Sequence, residues 1–98
     1  MNEVEHIKHN GQLLAIIISS RFEKDGLEFF TPNELSQQLA YMKRPRGYVI
    51  PAHIHNPVKR EVVHTKETLF IKSGRVRVDL TLDDCTPVTS RVLSTGEV

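Results

Sequence analysis

The chain has 98 residues, the length of one small domain, so residues 1–98 are expected to form a single unit around one core. Thirteen Lys and Arg residues against twelve Asp and Glu residues give a net charge of +1, which predicts neither a nucleic-acid partner nor an anionic membrane surface. A hydrophobic fraction of 39% is typical of a globular protein, and the longest aliphatic run, residues 13–18, is too short for a transmembrane helix.

The first third of the sequence predicts β-strands. Residues 1–10 are expected to be an N-terminal tail or an edge strand, with His6 and His9 in solvent. The aliphatic run at 13–19 is short enough to favour a buried strand over a helix. A turn at Asp25-Gly26 then leads into a returning strand at 27–31.

Residues 31–43 carry two conflicting patterns. Thr31, Pro32 and Glu34 form a helix-capping signal, and Leu35, Leu39 and Met42 could share one helical face. Residues 35–41 also alternate as a strand does, and strands are predicted on both sides. We therefore expect one helical turn at 32–35, followed by a strand from Ser36 to about Lys43.

The clearest periodicity lies near the C-terminal end. Apolar and polar residues alternate over 75–82, a period that a helix cannot place on one face, so this segment is predicted to be a strand. Residues 68–72 precede it as a second β-rich run, and Ser73-Gly74 between them predicts a hairpin over 68–82. A turn at 83–87 and a third strand at 88–94 follow. Short strands at this spacing predict an all-β sandwich or barrel.

Two histidines stand two residues apart, at His53 and His55. On an extended strand both would point to the same side, about 6 to 7 Å apart, where two imidazoles can bind one metal ion. A carboxylate from a neighbouring strand would complete a site that leaves positions open for water or substrate. Taken alone, such a pair is more often two ordinary surface or hydrogen-bonded histidines.

The residues around this pair resemble the first motif of the cupin superfamily, over about residues 36–82. The matching residues are Gly47, Pro51, His53, His55, Glu67 and Gly74. The resemblance implies a double-stranded β-helix, or jelly roll, with the ligands facing the barrel mouth. It also implies one divalent transition-metal ion (Fe, Mn, Ni or Zn) bound by His53, His55 and Glu67.

The sequence departs from the cupin motif in the spacing before the glutamate. Residues 56–66 form an insertion where the family has three or four residues, and this insertion is expected to be a loop near the barrel mouth. Glu61 lies closer to the usual gap, but Thr68 rather than glycine follows it seven positions on, so Glu67 is preferred. Within the insertion, His64 is a candidate substitute ligand or proton carrier, and otherwise a solvated loop residue.

The second cupin motif begins with a glycine and ends near a further histidine. Residues 93–98 are similar to its opening, and no further histidine follows them. The alternatives are a shortened chain, a site with three protein ligands, or a barrel completed by a partner subunit. We expect a shortened version of a longer protein that assembles as a homodimer, because an exposed hydrophobic strand edge favours pairing.

A basic and aromatic cluster precedes the histidines. In a cupin, Arg44, Arg46 and Tyr48, together with Arg60, would lie near the barrel mouth and bind an anionic substrate, because guanidinium groups pair with carboxylates and phosphates in a bidentate manner. The same ingredients suit single-stranded nucleic acid, which the balanced net charge does not favour. We expect no nucleic-acid or membrane partner.

Two functions are compatible with these residues. The first is a metal-binding cupin that binds or converts a small polar anionic molecule, sugar-derived or a carboxylate; as an enzyme it would be an isomerase, an epimerase or a dioxygenase. The second is a metal-free jelly-roll module that binds a ligand or regulates without catalysis. Cys85 is the single cysteine and can form no internal disulfide, so a cytoplasmic location is expected.

Overall fold

The computed structural model of the chain describes residues 3–51, 57, 59, 61–62 and 66–98. Within these residues all regular secondary structure is β-strand, which confirms the predicted all-β class. The strands are β1 (Val4–His9), β2 (Gln12–Ile18), β3 (Gly26–Phe29), β4 (Ala40–Lys43), β5 (Arg75–Thr81) and β6 (Pro87–Ser94). They pair as three antiparallel two-stranded sheets, β1 with β2, β3 with β4 and β5 with β6, and over the described ranges these sheets form no closed barrel.

The described residues divide into two compact units. The first unit comprises residues 3–22 and 68–98, and the second comprises the described part of 23–67. The first unit therefore contains the hairpins β1–β2 and β5–β6, and the second contains the hairpin β3–β4.

The β1–β2 hairpin is closed by Asn10 and Gly11, which have φ angles of 49° and 78°. Two successive residues of positive φ are characteristic of the tight turn that matches the twist of the flanking strands, and Asn-Gly is its preferred sequence. A register shift between Ile7 and Lys8 marks a β-bulge in this hairpin. The two histidines that were expected in a solvated tail or edge strand, His6 and His9, lie on β1.

The β5–β6 hairpin confirms the predicted strands at 75–82 and 88–94. Its turn is held by the Cys85 N–H, which donates to the Leu82 carbonyl at 2.9 Å, and by the Asp84 carboxylate, which accepts from the Thr86 N–H at 3.0 Å. Hydrogen bonding to Thr86 is the main cause that lowers the pKa of Asp84. The turn predicted at 83–87 is therefore present, and it connects β5 to β6, which pair with each other.

The hairpin predicted over 68–82 is wrong, because residues 68–72 form no strand and do not pair with β5. Gly74 does adopt the positive φ expected of a turn, at 91°. The preceding backbone turns elsewhere: the Ile71 N–H donates to the Glu97 carbonyl at 2.9 Å, and the Ile71 carbonyl accepts from the Gly96 N–H at 2.6 Å.

The first unit contains every hydrophobic side chain that is buried among the described residues. These are Ile7, Ile18, Ile71 and Leu93. Ile18 also exchanges two backbone hydrogen bonds with Val98, of 2.8 and 3.1 Å. The strand β2, the segment at 71 and the segment at 96–98 are thus joined by backbone bonds around this small core.

A bidentate ion pair joins β6 to β1 in the same unit. The Arg91 Nε and Nη2 atoms donate to the two carboxylate oxygens of Glu5 at 3.0 and 2.9 Å. These hydrogen bonds and the attached positive charge hold the pKa of Glu5 below its usual value and raise that of Arg91.

In the second unit, β3 and β4 are connected by the loop 30–39. The Phe30 N–H donates to the Leu39 carbonyl at 3.0 Å, and the Gln38 amide donates to the carbonyls of Pro32 and Leu35 at 2.9 and 2.8 Å. The helical turn predicted at 32–35 is a single hydrogen-bonded turn without a helix, and β4 begins at Ala40 rather than at Ser36. The Thr31 hydroxyl accepts from the Leu39 N–H, so it closes the loop instead of capping a helix.

Nowhere in the described part of the chain is there a helix with the length and apolar character needed to cross a membrane.

Candidate functional site

The structure describes part of the predicted site. Glu67, Arg44, Arg46 and Tyr48 are among the described residues, whereas the remaining predicted site residues lie outside them. Those outside are His53, His55, Arg60 and His64. The described part of the site therefore consists of the basic and aromatic cluster before the histidine pair and of one candidate ligand after it.

Two glycines of the cupin-like motif, Gly47 and Gly74, have φ angles of 86° and 91°. At either position an added Cβ atom would meet no other atom within 4 Å. Glycine is therefore required by the backbone conformation and not by crowding, because residues with a Cβ atom rarely adopt positive φ angles. Both motif glycines occupy positions where glycine has a physical reason to be.

Gly47 lies in a turn that folds the basic cluster onto itself. The Tyr48 N–H donates to the Pro45 carbonyl at 3.1 Å, and the positive φ of Gly47 at the third position is the feature that such a turn requires. The turn brings the Arg44 guanidinium over the Tyr48 ring, with 4.9 Å between the guanidinium carbon and the ring centroid. A cation at this distance is attracted by the ring face, which orients both side chains.

The charge of this cluster is concentrated on the two arginines. Lys43 forms ion pairs with Glu23 and, at 3.9 Å, with Asp25. The hydrogen bond between Lys43 and Glu23 lowers the pKa of Glu23 and raises that of Lys43. Arg44 and Arg46 make no ion pair with any described residue, so their charges are available to an external anion.

A shallow surface cavity of about 430 Å³ lies beside the Arg44–Tyr48 pair. It is lined by Asp25, Gly26, Lys43, Arg44 and Pro45. Asp25 and Lys43 in its wall lie within ion-pair distance of each other, so Arg44 is the lining cation that has no ion pair with a described residue.

The two candidate carboxylates, Glu61 and Glu67, are both exposed. Glu67 makes no hydrogen bond or ion pair with any other described residue, so its oxygens are free to act as metal ligands. Exposure does not distinguish the two glutamates, and the choice of Glu67 still depends on its spacing from Gly74.

The described residues alone contain no group of three or more His, Cys, Asp or Glu side chains placed to hold a metal ion. The predicted ligand set draws two of its three donors from residues outside that part of the chain. The chemistry of this set, two imidazoles and one carboxylate, fits Fe(II), Mn(II), Ni(II) or Zn(II) with positions left open.

Sequence reasoning did not find the neutralisation of Lys43. The antiparallel register places Gly26 opposite Lys43, so the acidic residues just before Gly26 lie near the lysine. The available signal was the pair of acidic residues Glu23 and Asp25, which directly precede Gly26 in alternate positions. Using that signal requires knowing that β3 pairs with β4.

No protein-family model matches this chain, and the searches of curated proteins and of solved structures found no match either. The cupin resemblance therefore depends on the motif residues themselves.

Proposed function

We propose that the chain is a metal-binding protein of the cupin type, in which His53, His55 and Glu67 bind one divalent transition-metal ion, Fe, Mn, Ni or Zn. The β-hairpins described above would be parts of a jelly roll. A cytoplasmic location accords with this function, because the exposed thiol of Cys85 stays reduced there.

The observation that carries this proposal is the spacing of the motif residues Gly47, His53, His55, Glu67 and Gly74. The conformation of the two motif glycines is compatible with it, although all five glycines of the chain have positive φ. Gly47 and Gly74 stand at the two ends of the motif, and both adopt left-handed φ angles in open space. Both therefore have a conformational reason to be glycine, as many residues in turns do. Glu67, whose carboxylate contacts no polar group of another described residue, lies between them in the sequence, seven residues before Gly74.

The ligand that we propose is a small polar anion, a carboxylate or a sugar-derived molecule. Arg44 and Arg46 would pair with its negative group, with Arg60 as a third cation, and the Tyr48 ring would offer an apolar face to the remainder of the molecule. A bound metal supplies Lewis-acid activation of substrate or water at its open positions. The protein residues bind and orient the anion. As an enzyme, the protein would be an isomerase, an epimerase or a dioxygenase.

The first test is the metal content of protein purified without chelator. We expect close to one transition-metal ion per chain in the wild type, and loss of that metal in H53A, H55A and E67Q. H6A and E61Q are the matched controls, because they remove an exposed imidazole and an exposed carboxylate outside the proposed ligand set. Retention of metal in E67Q together with its loss in E61Q would move the third ligand to Glu61.

A metal-free wild type would refute the metal proposal and favour the alternative, a jelly-roll module that binds its ligand without catalysis. The Arg44–Tyr48 pair favours this alternative as a second candidate, because it can bind an anion without any metal. The metal content separates the two cases. Titration of carboxylates and sugar phosphates into wild type and the R44Q/R46Q double variant tests the anion site in either case, since anion binding should fall in the variant whether or not metal is present.

A further inference from the structure

The outer edge of β5 is open in the described structure. Its sheet has two strands, and within the described ranges β5 pairs with β6 alone. An open edge presents a row of N–H and C=O groups that can pair with another strand. Val76 on this strand is 43% exposed, so the edge also carries accessible apolar surface.

The hydrogen-bonding pattern identifies which residues of β5 direct their backbone N–H and C=O groups away from β6. The Leu82 N–H, just after β5, donates to the Thr86 carbonyl on the β6 side. Backbone groups of successive residues point to alternate edges of a strand, so Leu80, Val78 and Val76 also direct theirs toward β6. The backbone groups of the odd-numbered residues then point away from β6. These residues are Arg75, Arg77, Asp79 and Thr81.

We propose that β5 pairs antiparallel with β5 of a second copy of this chain, about a two-fold axis through Val78. In this register Arg77 lies directly opposite Asp79 of the partner subunit, and by symmetry the pair occurs twice. Val76 lies opposite Leu80 of the partner subunit on the other face. The outward backbone groups can form up to about eight hydrogen bonds between the chains.

Charge determines this register. Outward backbone groups meet only when an odd residue faces an odd residue, so the neighbouring registers are those shifted by two residues. A shift in one direction places Arg77 opposite the partner's Arg77, although it also places Arg75 opposite the partner's Asp79. A shift in the other direction places Asp79 opposite the partner's Asp79. Like charges directly opposite destabilise a pair of strands, so the register centred on Val78 is favoured over both.

The two charged side chains share one face of β5 and contact each other within the chain. The Arg77 Nη2 atom donates to the Asp79 Oδ2 atom at 3.0 Å, and the Ser90 hydroxyl donates to the Asp79 Oδ1 atom at 2.6 Å. Arg77 and Asp79 keep 70% and 50% of their side-chain surface exposed. Both groups therefore share one face of the sheet and are largely exposed, and pairing with a second copy would exchange the Arg77–Asp79 contact within the chain for two such contacts between chains.

The edge of β1 does not offer the same complementarity. Its oppositely charged residues Glu5 and Lys8 are three positions apart in the sequence. Their side chains therefore point to opposite faces of the strand. No antiparallel self-pairing of β1 places them opposite each other on one face. In β5, Arg77 and Asp79 are two positions apart and share a face.

The first test uses two charge variants alone and in mixture, followed by sedimentation velocity at low salt. The wild type should sediment as a dimer. R77D and D79R should each weaken self-association by more than about tenfold, because each places like charges opposite one another. An equimolar mixture of the two variants should form a heterodimer, since the two carboxylates of one variant then face the two guanidinium groups of the other across the interface. A monomeric wild type, or a mixture that stays monomeric, would overturn the proposal.

The second test is a disulfide cross-link at the proposed axis, in a C85S background. Residues at position 78 would form a non-hydrogen-bonded pair with Cα atoms about 4.5 Å apart, which a disulfide can span. V78C should therefore cross-link on mild oxidation to a species of twice the chain mass. V76C, whose partner across the interface is Leu80, is the control and should not. Equal cross-linking of both variants would exclude this register.

The proposed pairing is independent of the metal site. The metal content of R77D and D79R should equal that of the wild type, so a failure of the metal proposal leaves the dimer test unaffected.

Discussion

The two compact units of this chain differ in what they do with their apolar residues. In the first unit, Ile7, Ile18, Ile71 and Leu93 are buried, and backbone hydrogen bonds connect the segments that carry them. In the second unit no described hydrophobic side chain is buried, and most of the large ones are exposed. These exposed residues are Leu27, Phe29, Met42, Tyr48, Val49, Ile50 and Val62.

Because of this difference, the residues expected to stabilise the fold and the described candidate binding residues lie in different units. Burial of apolar surface is the main stabilising term in folding, so the first unit should supply most of the folding free energy. The second unit contains the Arg44–Tyr48 pair, held by the turn at 45–48, and the described candidate ligand Glu67. The described candidate binding residues thus lie outside the strands, in connecting segments where binding residues are common in proteins.

The largest expected effect is on the core of the first unit. I18A removes a buried side chain and should lower the free energy of unfolding by about 2 to 4 kcal/mol. L27A removes a side chain that is 43% exposed and should cost less than about 1 kcal/mol. Urea denaturation followed by circular dichroism measures both. Similar losses in the two variants would show that the second unit has a core of its own.

A smaller effect is expected in the loop 30–39. Q38A removes three hydrogen bonds, one from the Thr31 hydroxyl and two to backbone carbonyls, and should cost about 1 kcal/mol of local stability. Hydrogen exchange should therefore accelerate in this loop and remain unchanged in β1 and β2. The neighbouring variant Q37A is the control. Faster exchange throughout the first unit would contradict the separation of the two units.

The smallest expected effect is the pH dependence of the Glu5–Arg91 ion pair. The pKa of Glu5 is lowered in the folded state, so its contribution is present above the unfolded-state value of 4.5 and is lost as the pH falls through the lowered one. The stability difference between wild type and E5Q should therefore shrink below about pH 4.5. Both side chains are more than a third exposed, so the difference should be small and should decrease with added salt.

Denaturation curves at pH 7 and at about pH 3 test this prediction, with E3Q as the control because the Glu3 side chain makes no ion pair with the described residues. A wild-type advantage that grew on acidification would contradict the assigned sign.

Local patterns in the sequence predicted individual strands well and their pairing less well. Alternation identified β5 and β6, and the aliphatic run identified β2, because burial on one or both faces leaves a direct mark on the sequence. The polar residues of β1 are compatible with a tail or an edge strand, so they do not predict its pairing with β2, although Asn10-Gly11 is a strong short hairpin signal.

The errors came from interactions that are distant in sequence. The positive φ at Gly74 is a local property and was predicted, but the partner of Ile71 is the segment at 96–97, which no turn signal reveals. The capping signal at Thr31 failed because Gln38 and Leu39 bind that hydroxyl instead. For the candidate site, residue types predicted the cluster around Arg44, whereas the neutralisation of Lys43 required the strand register.

The Glu5–Arg91 ion pair has a consequence for the order of folding. Its two residues are 86 positions apart in the sequence. The residues of the second unit come between the two sequence stretches of the first unit that the ion pair connects. The three hairpins are local and can form within microseconds, whereas bringing β1 to β6 requires closure of a long loop at a large entropic cost. The first unit should therefore assemble last, after its hairpins exist, and its rate of formation should depend on the length of the intervening segment.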